Sequence, residues 1–419
     1  MPRVLRLALH WQVLIAMVLG AVFASFFGSV GPLNQVAEVF LRLLRMIIVP
    51  LIFTSIVSGV AGIADGKSLG RLGVKTLSFY VLSSFLAIVA GLVLTNIIRP
   101  GDGLETPSGV EVTPDSLETP GSVADIVMRL IPTNPVQAAS EFDILGLIFF
   151  SIFLGAVIAA MEGSASETLR TFFDAAFEAM MRMTQVIIKL LPIGVFALIA
   201  RAVGEMGFDV FEQVGKYMVT IAIGLTFHAF VTLPLVYFVL TRRNPIHHYR
   251  AISPAMAMAF STSSSAATLP VTMTSVQENA GVSKKVSTFV LPMGATVNMD
   301  GTALYECAGV LFIAQALSVG LDFQQQVVVV LTALLASVGA AAVPSAGLVM
   351  IFIVLEAIGL TNPAAYALVG LMLAVDRPLD MYRTVVNITS DTICAAVVAH
   401  SEGEDLGAAA QQSKAESGP

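Results

Sequence analysis

Six polar or charged residues lie in an otherwise apolar stretch near the end of the chain: Asp376, Asp380, Arg383, Thr384, Asn387 and Asp391. Successive residues of an α-helix turn by about 100°, so the charged and amide members fall within roughly a quarter of the circumference. A stripe of this kind in a membrane-length segment usually faces a protein interior, a cavity or a pathway, because hydrocarbon disfavours charge. The sequence therefore predicts a working site here, with hydrogen bonding between helices as the structural alternative.

The composition indicates a membrane protein. Of the 419 residues, 56% are hydrophobic and 12% are charged, and the mean hydropathy is +0.85. Apolar runs long enough to cross about 30 Å of hydrocarbon lie near residues 8 to 28, 36 to 61, 74 to 98, 143 to 161, 183 to 203 and 215 to 241. The first run is longer than the apolar part of a signal peptide, so we expect a membrane helix that is retained.

The distribution of charge predicts an orientation. Lys and Arg lie at the amino terminus and in alternate short connections, and the positive-inside bias places these ends in the cytoplasm. Both termini are then cytoplasmic, and the acidic segment 99–142 forms an external loop. We expect a multi-pass protein of the plasma membrane, of the bacterial inner-membrane type, in contact with membrane lipid. The net charge of −7 and the lack of a basic surface argue against nucleic acid as a partner.

Other familiar sites are not indicated. The two cysteines lie in apolar segments, and the five histidines form no pair at metal-ligand spacing, so neither a disulfide framework nor a zinc site is predicted. The segment from Gly62 to Ser68 is similar to a phosphate-binding loop, but three residues separate its glycines where that motif needs four. No organic cofactor is expected.

Beyond residue 250 the apolar sequence is interrupted twice, at 261–270 and at 337–347, by small residues and a proline. About 35 to 40 residues after each interruption comes a span with a polar centre, first 298–302 and then the Asp376 to Asp391 stripe. Corresponding broken segments in two halves predict a transporter with inverted repeats and a site near the bilayer midplane. Each interruption is expected to be the tip of a re-entrant hairpin. Backbone carbonyl groups without helical partners at such a tip can bind Na⁺, and the N–H groups at a helix N-terminus can bind a carboxylate.

The segment 298–302, Asn-Met-Asp-Gly-Thr, predicts a local unwinding, because Asn and Gly are poor residues for a helix interior. Asp300 would supply negative charge for a cation there. The serine run at 261–265 could instead hold the nucleophile of an intramembrane hydrolase, but no His is near and Gly-x-Ser-x-Gly is absent. Close helix packing is the structural alternative. We expect no enzyme activity.

Three motifs resemble the dicarboxylate/amino acid:cation symporter family, which includes glutamate transporters. They are Ser-Ser-Ser-Ala-Ala-Thr-Leu-Pro, Asn-Met-Asp-Gly-Thr-Ala-Leu-Tyr-Glu and Asp-Met-Tyr-Arg-Thr-Val-Val-Asn-Ile-Thr-Ser-Asp. Ile-Pro-Thr-Asn-Pro at 131–135 also matches, and the likeness covers essentially the whole chain. It implies an all-α membrane protein with eight transmembrane helices and two re-entrant hairpins. It also implies a homotrimer that works by an elevator-type alternating-access cycle.

The resemblance also divides the chain into a fixed trimerisation scaffold and a moving transport domain. Scaffold helices 1 and 2 would occupy 1–73, and scaffold helices 4 and 5 would occupy 143–204. The transport domain would comprise helix 3 (74–98), helix 6 (213–242), hairpin 1 (250–282), helix 7 with its unwound centre (285–318), hairpin 2 (324–361) and helix 8 (364–400). Hairpin 2, rich in Gly and Ala, would act as a lid, and 401–419 would be a disordered cytoplasmic tail.

By resemblance, Arg383 would hold the side-chain carboxylate of the substrate and Asp380 its ammonium group. A guanidinium binds a carboxylate through two parallel hydrogen bonds, which agrees with this role. Asp376 would orient Arg383. Further substrate contacts are implied at Ser263, Ser265, Thr302, Val343, Thr384 and Asn387. Relatives that carry neutral amino acids lack the arginine, so Arg383 predicts aspartate or glutamate. The alternatives are a C4-dicarboxylate carrier and, for Arg383, a purely structural ion pair.

The resemblance implies three Na⁺ sites. The first would use Gly294, Asn298, Asn387 and Asp391, the second Tyr80, Ser83, Ser84, Asn298 and Asp300, and the third carbonyl groups near Thr296, Ser337, Val338 and Ala340. Proton-coupled relatives tend to carry Asn in place of Asp391, so Na⁺ is favoured. Glu306 matches a glutamate with which eukaryotic-type members carry H⁺ inward and permit K⁺ return. We therefore expect Na⁺ and H⁺ symport, and K⁺ counter-transport as a further step.

The chain departs from the family pattern at one place. Many members carry a second arginine at the position of Ser263 or of Met381, and this chain has neither. Arg377, three residues before Asp380, is expected to pair with it and so to affect turnover. Alternatively, Arg377 extends to the membrane interface. An ion channel remains a competing class, because related carriers conduct anions.

Overall fold

The computed structural model describes residues 9–28, 31–62, 69–103, 131–141, 143–208, 210–339 and 346–406. These residues form helices and connections, and no strand occurs among them. In chain order the α-helices are α1 (Leu9–Phe27), α2 (Gly31–Met46), α3 (Ile48–Ala61), α4 (Leu69–Ile98), α5 (Pro135–Ser140), α6 (Ile144–Ala160), α7 (Ser164–Ile188), α8 (Leu191–Met206), α9 (Val210–Phe227), α10 (Leu233–Thr241), α11 (Pro245–Thr262), α12 (Ser265–Thr274), α13 (Lys284–Val297), α14 (Asp300–Ala316), α15 (Phe323–Gly339), α16 (Ala346–Ala357) and α17 (Pro363–Ser401). Short π-helical turns follow α9 at His228–Thr232 and α12 at Ser275–Asn279.

Several of these helices suit a membrane. Among the described residues, three helical stretches are long and apolar enough to cross one: Gly31–Ala61, Arg71–Ile98 and Phe211–Thr241. A fourth is possible if Ser164–Ile187 and Leu191–Gly204, which bend by 53° at their junction, count as one span. The structure is thus that of a multi-pass, all-helical protein, and the number of eight transmembrane helices stays a prediction.

The helices of the first half pack mainly on one another. Helices α1 and α2 contact α8, while α3 contacts α6 and α7. Close approach of α1 to α8 depends on Gly20, because a Cβ there would lie 2.6 Å from the carbonyl oxygen of Phe196. Small residues at helix contacts allow such close packing of backbones inside membranes. Whether this group is the fixed scaffold 1–73 and 143–204 stays a prediction.

The second group surrounds α14. Every residue of α14 except Gln315 is buried, and α14 packs against α4, α15, α16 and α17. A helix that is buried all round is normally apolar all round, so the carboxylates of Asp300 and Glu306 in α14 are exceptional. Helix α17, 39 residues long, also contacts α11 and α13. These contacts bring the polar stripe of α17 against the polar residues of α14.

The first interruption is a helical hairpin in which α11 and α12 are joined at Ser263 and Ser264, called the first tip below. Helix α11 ends at Thr262, and Ser263 has a φ of 51°, a left-handed conformation that reverses the chain. The Ser264 side chain then caps α12 by accepting from the Ala267 N–H at 3.3 Å. The unit begins at Pro245 rather than at residue 250, because Asn244 caps α11 and proline suits its first turn.

The predicted unwinding at 298–302 lies before α14, and the second interruption lies between α15 and α16. The helix is broken at Asn298 and Met299, which are extended or irregular, whereas Gly301 and Thr302 already belong to α14. The break is thus shorter than the whole 298–302 segment. Helices α15 and α16 pack against each other, and the tip between them, residues 340–345 with Ala340 and Val343, lies outside the described residues.

The prediction of disorder after residue 400 is wrong for residues 401–406. Glu402 pairs with Arg71 and with Lys75, the latter at 2.6 Å. Glu404 accepts from the Ser283 hydroxyl at 2.6 Å, and Arg243 donates to Asp405. These residues are ordered because their carboxylates form ion pairs and hydrogen bonds with basic and polar residues at the ends of other helices. Residues 407–419, for which disorder was also predicted, lie outside the described residues.

Candidate functional site

The polar stripe of α17 is buried, and its centre is an ion-paired arginine. Arg383 is 1% exposed, and its Nη2 donates to both Asp376 and Asp380, each at 2.8 Å. Arg377 Nη1 approaches Asp380 at 3.3 Å, so two arginines share this carboxylate. Burial of charge is costly unless opposite charge and hydrogen bonds compensate it, and here two aspartates balance two arginines.

Arg383 keeps unused hydrogen-bonding capacity. Within the described residues, its Nε and Nη1 have no hydrogen-bond partner. The Tyr305 ring centroid lies 3.8 Å from Arg383 Cζ, which is cation–π geometry. A Cβ added at Gly347 would lie 2.8 Å from Nη1, so glycine leaves room beside this nitrogen. Buried N–H groups without partners are rare, and a carboxylate of a ligand would satisfy these two.

The amide of Asn387 joins α17 to the start of α14. Its Oδ1 accepts from the Gly301 N–H at 2.8 Å, and its Nδ2 donates to the Thr302 hydroxyl at 3.4 Å. The Thr384 hydroxyl donates to the backbone carbonyl of Asp380 at 2.9 Å. These predicted site residues therefore lie together at the level of Arg383, on two helices.

A second polar cluster surrounds Asp300. Its Oδ1 accepts from Ser83 at 3.2 Å and from Ser84 at 2.7 Å, both on α4. Its Oδ2 lies 3.0 Å from His228 Nε2, and both side chains are fully buried. Ser83 also lies 3.4 Å from Asn298 Oδ1. A carboxylate, an amide oxygen and two hydroxyls form a set of hard oxygen ligands.

Asp391 forms a third polar cluster next to the second. Asn298 Nδ2 donates to Asp391 Oδ1 at 2.9 Å and to Ser390 at 3.0 Å. Gly294 packs directly on the Asp391 carboxylate, so that a Cβ there would clash with it. Tyr80 donates to the carbonyl of Val290 at 2.8 Å. Asn298 thus bridges the residues expected at the first two Na⁺ sites, which the structure brings together.

The remaining predicted residues are less connected. Thr296 donates to Met293 O at 3.0 Å and Ser337 to Leu334 O at 2.9 Å, each within its own helix. Val338 belongs to α15, while Ala340 and Val343 lie outside the described residues. Ser263 and Ser265 are buried at the first tip. Glu306 is fully buried, and neither carboxyl oxygen has a hydrogen-bond partner within the described residues.

Comparison with known proteins decides the family. The family model described as the sodium:dicarboxylate symporter family matches residues 9–401. The chain belongs to this family. It is similar to "Excitatory amino acid transporter 1" of Ambystoma tigrinum, with 35% identity over 88% of this chain and 77% of the relative. It is 34% identical to "Excitatory amino acid transporter 2" of Homo sapiens, over 93% of this chain and 78% of the relative. It is 35% identical to "Excitatory amino acid transporter" of Caenorhabditis elegans, over 88% of this chain and 82% of the relative.

Membership in the sodium:dicarboxylate symporter family has direct consequences. The chain is a membrane transporter of the sodium-coupled symporter type, not an enzyme, with Na⁺ as the coupling ion that the family implies. The resemblance drawn from the three sequence motifs is thereby confirmed.

Sequence reasoning missed three residues of the site of this symporter-family member. His228 contacts Asp300, the Tyr305 ring covers Arg383, and Gly347 makes room beside Arg383. An ionisable residue within a long apolar run was a usable signal for His228. Tyr305 and Gly347 gave no such signal, because aromatic residues and glycine are common in membrane helices.

Proposed function

We propose that this family member takes up an acidic amino acid, aspartate or glutamate, together with Na⁺. The observation that supports the substrate is the buried Arg383, whose Nε and Nη1 have no partner within the described residues. A side-chain carboxylate can accept from both nitrogens, and such charge-assisted pairs are the strong ones. Tyr305 and Asp376 hold the guanidinium in place for this contact.

The rest of the substrate is assigned from its chemistry. The ammonium group would lie at Asp380, and the α-carboxylate would lie near the first tip. The proposed contacts are Ser263, Ser265, Thr302, Val343, Thr384 and Asn387. A C4-dicarboxylate is a second candidate, because Asp380 is already paired with Arg383 and Arg377 and so does not require an ammonium group.

The coupling ions are assigned to the clusters of oxygen atoms. Asp300 with Ser83 and Ser84, and Asp391 with Asn298, offer carboxylate and neutral oxygens, which suit a hard cation. The third site would use carbonyls of Thr296, Ser337, Val338 and Ala340. Glu306, buried without a partner within the described residues, would carry H⁺ with the substrate and permit the return step with K⁺.

The transport cycle is proposed to be of the elevator type. Helices within 74–98 and 213–400 would move as a transport domain, with hairpin 2 as the lid, against a scaffold of 1–73 and 143–204. The working form would be a homotrimer in a plasma membrane of the bacterial inner-membrane type, with both termini in the cytoplasm.

The test is uptake of radiolabelled aspartate into proteoliposomes with an inward Na⁺ gradient. Arg383→Gln removes the charge and both free donors, so uptake should fall by roughly tenfold to a hundredfold for each lost hydrogen bond. Arg42→Gln alters an exposed arginine that pairs with Glu38 within the same helix and should leave uptake unchanged. Equal uptake by Arg383→Gln and the unaltered protein would exclude the proposed substrate contact.

Competition in the same assay separates the two substrate classes. Unlabelled aspartate should block uptake of the label, whereas succinate, which lacks an ammonium group, should compete poorly. Succinate that competes as well as aspartate would favour the C4-dicarboxylate reading.

A further inference from the structure

A groove at the surface of the protein lies between α11 on one side and the π-helical turn His228–Thr232 with α10 on the other. Its volume is about 580 Å³, and its lining includes Phe230, Pro234, Ile246, Tyr249 and Arg250. Binding sites for small molecules commonly occupy roughly 300 to 1,000 Å³. None of these residues belongs to the proposed substrate or Na⁺ sites, so the groove needs an explanation of its own.

The backbone of this region explains why a groove forms. The π-helical turn His228–Thr232 interrupts the regular helix between α9 and α10, and Pro234 follows it without an N–H to donate. The Tyr249 hydroxyl on α11 donates to the Ala229 carbonyl inside this turn. One wall of the groove is therefore tied to the other by a hydrogen bond.

The lining is apolar and faces outward. Phe230 is 54% exposed and Ile246 is 57% exposed. In a multi-pass membrane protein, such side chains on an outer face meet hydrocarbon rather than water. An apolar concavity in this setting fits a lipid acyl chain.

The α11 wall of the groove carries a positive charge. Arg250 is exposed, and no acidic side chain pairs with it within the part of the chain that the structure describes. It lies in the second turn of α11, close to the polar connection that includes Arg242 and Asn244. Arg243 in the same connection is already paired with Asp405. Arg250 is thus a cation in the wall of an otherwise largely apolar groove, about one helical turn after Ile246.

We propose that this groove binds an anionic phospholipid. The headgroup phosphate would pair with the Arg250 guanidinium, and one acyl chain would lie along Phe230, Pro234 and Met256. Basic residues next to apolar surfaces at the membrane boundary bind anionic headgroups by this combination of charge and apolar contact. The bound lipid would contact α11, the helix that leads to the first tip.

The test is native mass spectrometry of the full-length protein in detergent, titrated with phosphatidylglycerol or phosphatidylcholine of the same acyl chains. The unaltered protein should bind the first phosphatidylglycerol molecule more tightly than the first phosphatidylcholine. Arg250→Gln should weaken phosphatidylglycerol binding roughly fivefold and remove the preference. Arg182→Gln, at an arginine that is 77% exposed on α7, is the matched control and should keep it.

A second variant tests the apolar part separately. Ser253 lines the groove and is exposed, so Ser253→Phe should fill it and weaken binding of both lipids without a change of charge. Equal affinity of the unaltered protein for the two lipids would overturn the proposal. So would an unchanged preference in Arg250→Gln, or a change in oligomer mass in that variant without a change in lipid binding, which would indicate a second copy of the chain in the groove.

Discussion

Two aspartates share one nitrogen of Arg383, and they differ in what else surrounds them. Asp380 is contacted by a second arginine, Arg377, at 3.3 Å. Asp376 Oδ1 contacts Arg383 alone among the described residues, and Asp376 Oδ2 has no partner there. Asp376 is therefore best placed to set the direction of the guanidinium rather than to bind substrate. We treat it as a positioning residue.

Asp376→Asn tests this role. The substitution keeps the size of the side chain but removes its charge, so one charge-assisted hydrogen bond to Arg383 is weakened, at a cost of about 1.5 to 3 kcal/mol. If Arg383 binds substrate, KM for aspartate should rise roughly tenfold or more, with a smaller change in maximal rate. Glu178→Gln, at an exposed pair with Arg182, should leave both constants unchanged. An unaltered KM in Asp376→Asn would contradict the positioning role.

The contact between α14 and α17 depends on a glycine at the broken helix. A Cβ at Gly301 would lie 2.8 Å from the carbonyl oxygen of Arg383, which is backbone and cannot rotate away. The same glycine N–H donates to Asn387. Gly301 therefore allows the two polar helices to approach closely enough for the site to form.

Gly301→Ala should separate these helices. Overpacking of a buried contact costs about 1 to 3 kcal/mol, so the purified protein should melt at a lower temperature and lose affinity for aspartate. Gly215→Ala is the control, because no atom of a neighbouring described helix lies within 4 Å of a Cβ there and alanine favours a helix interior over glycine. Its melting temperature should stay level or rise. A melting temperature for Gly301→Ala equal to that of Gly215→Ala would contradict the account.

The break before α14 shows what sequence can and cannot predict about an element. Asn298 and Gly301 are poor helix residues, so an interruption was predictable from local preference. Ser83 was grouped with Asn298 and Asp300 only through the family resemblance, and the contact of His228 with Asp300 was missed, because both partners come from distant parts of the chain. Their contacts depend on the packing of α4 and the π-helical turn against α14, and a single sequence carries no direct signal of such packing.

At the level of the whole chain, the number of eight membrane spans stays a prediction, and the end of the chain was the least predictable feature. Three described stretches meet the length and apolarity of a plain span, and the other apolar helices are shorter or, at the junction before Leu191, bent. The acidic composition after residue 400 resembled a solvated tail. Its residues instead meet Lys75 of α4, Ser283 before α13 and Arg243 after α10, so they connect the ends of three helices.

The pH dependence of stability tests this connection. Hydrogen bonds from Lys75 and then from Arg71 hold the pKa of Glu402 below its usual value. A carboxyl group with a depressed pKa stabilises the folded state above its unfolded pKa, and this stabilisation is lost as pH falls through the folded pKa. At neutral pH, Glu402→Gln should therefore melt below the unaltered protein. The difference should shrink as the buffer is acidified below the usual pKa of a glutamate, because Glu402 becomes neutral in both the folded and the unfolded state.

The control is Glu38→Gln, at an exposed ion pair within one helix, which should show little difference in melting temperature at any pH. A Glu402→Gln difference that is absent at neutral pH, or that persists in full at the acid end, would show that the ion pairs do not hold the end of the chain.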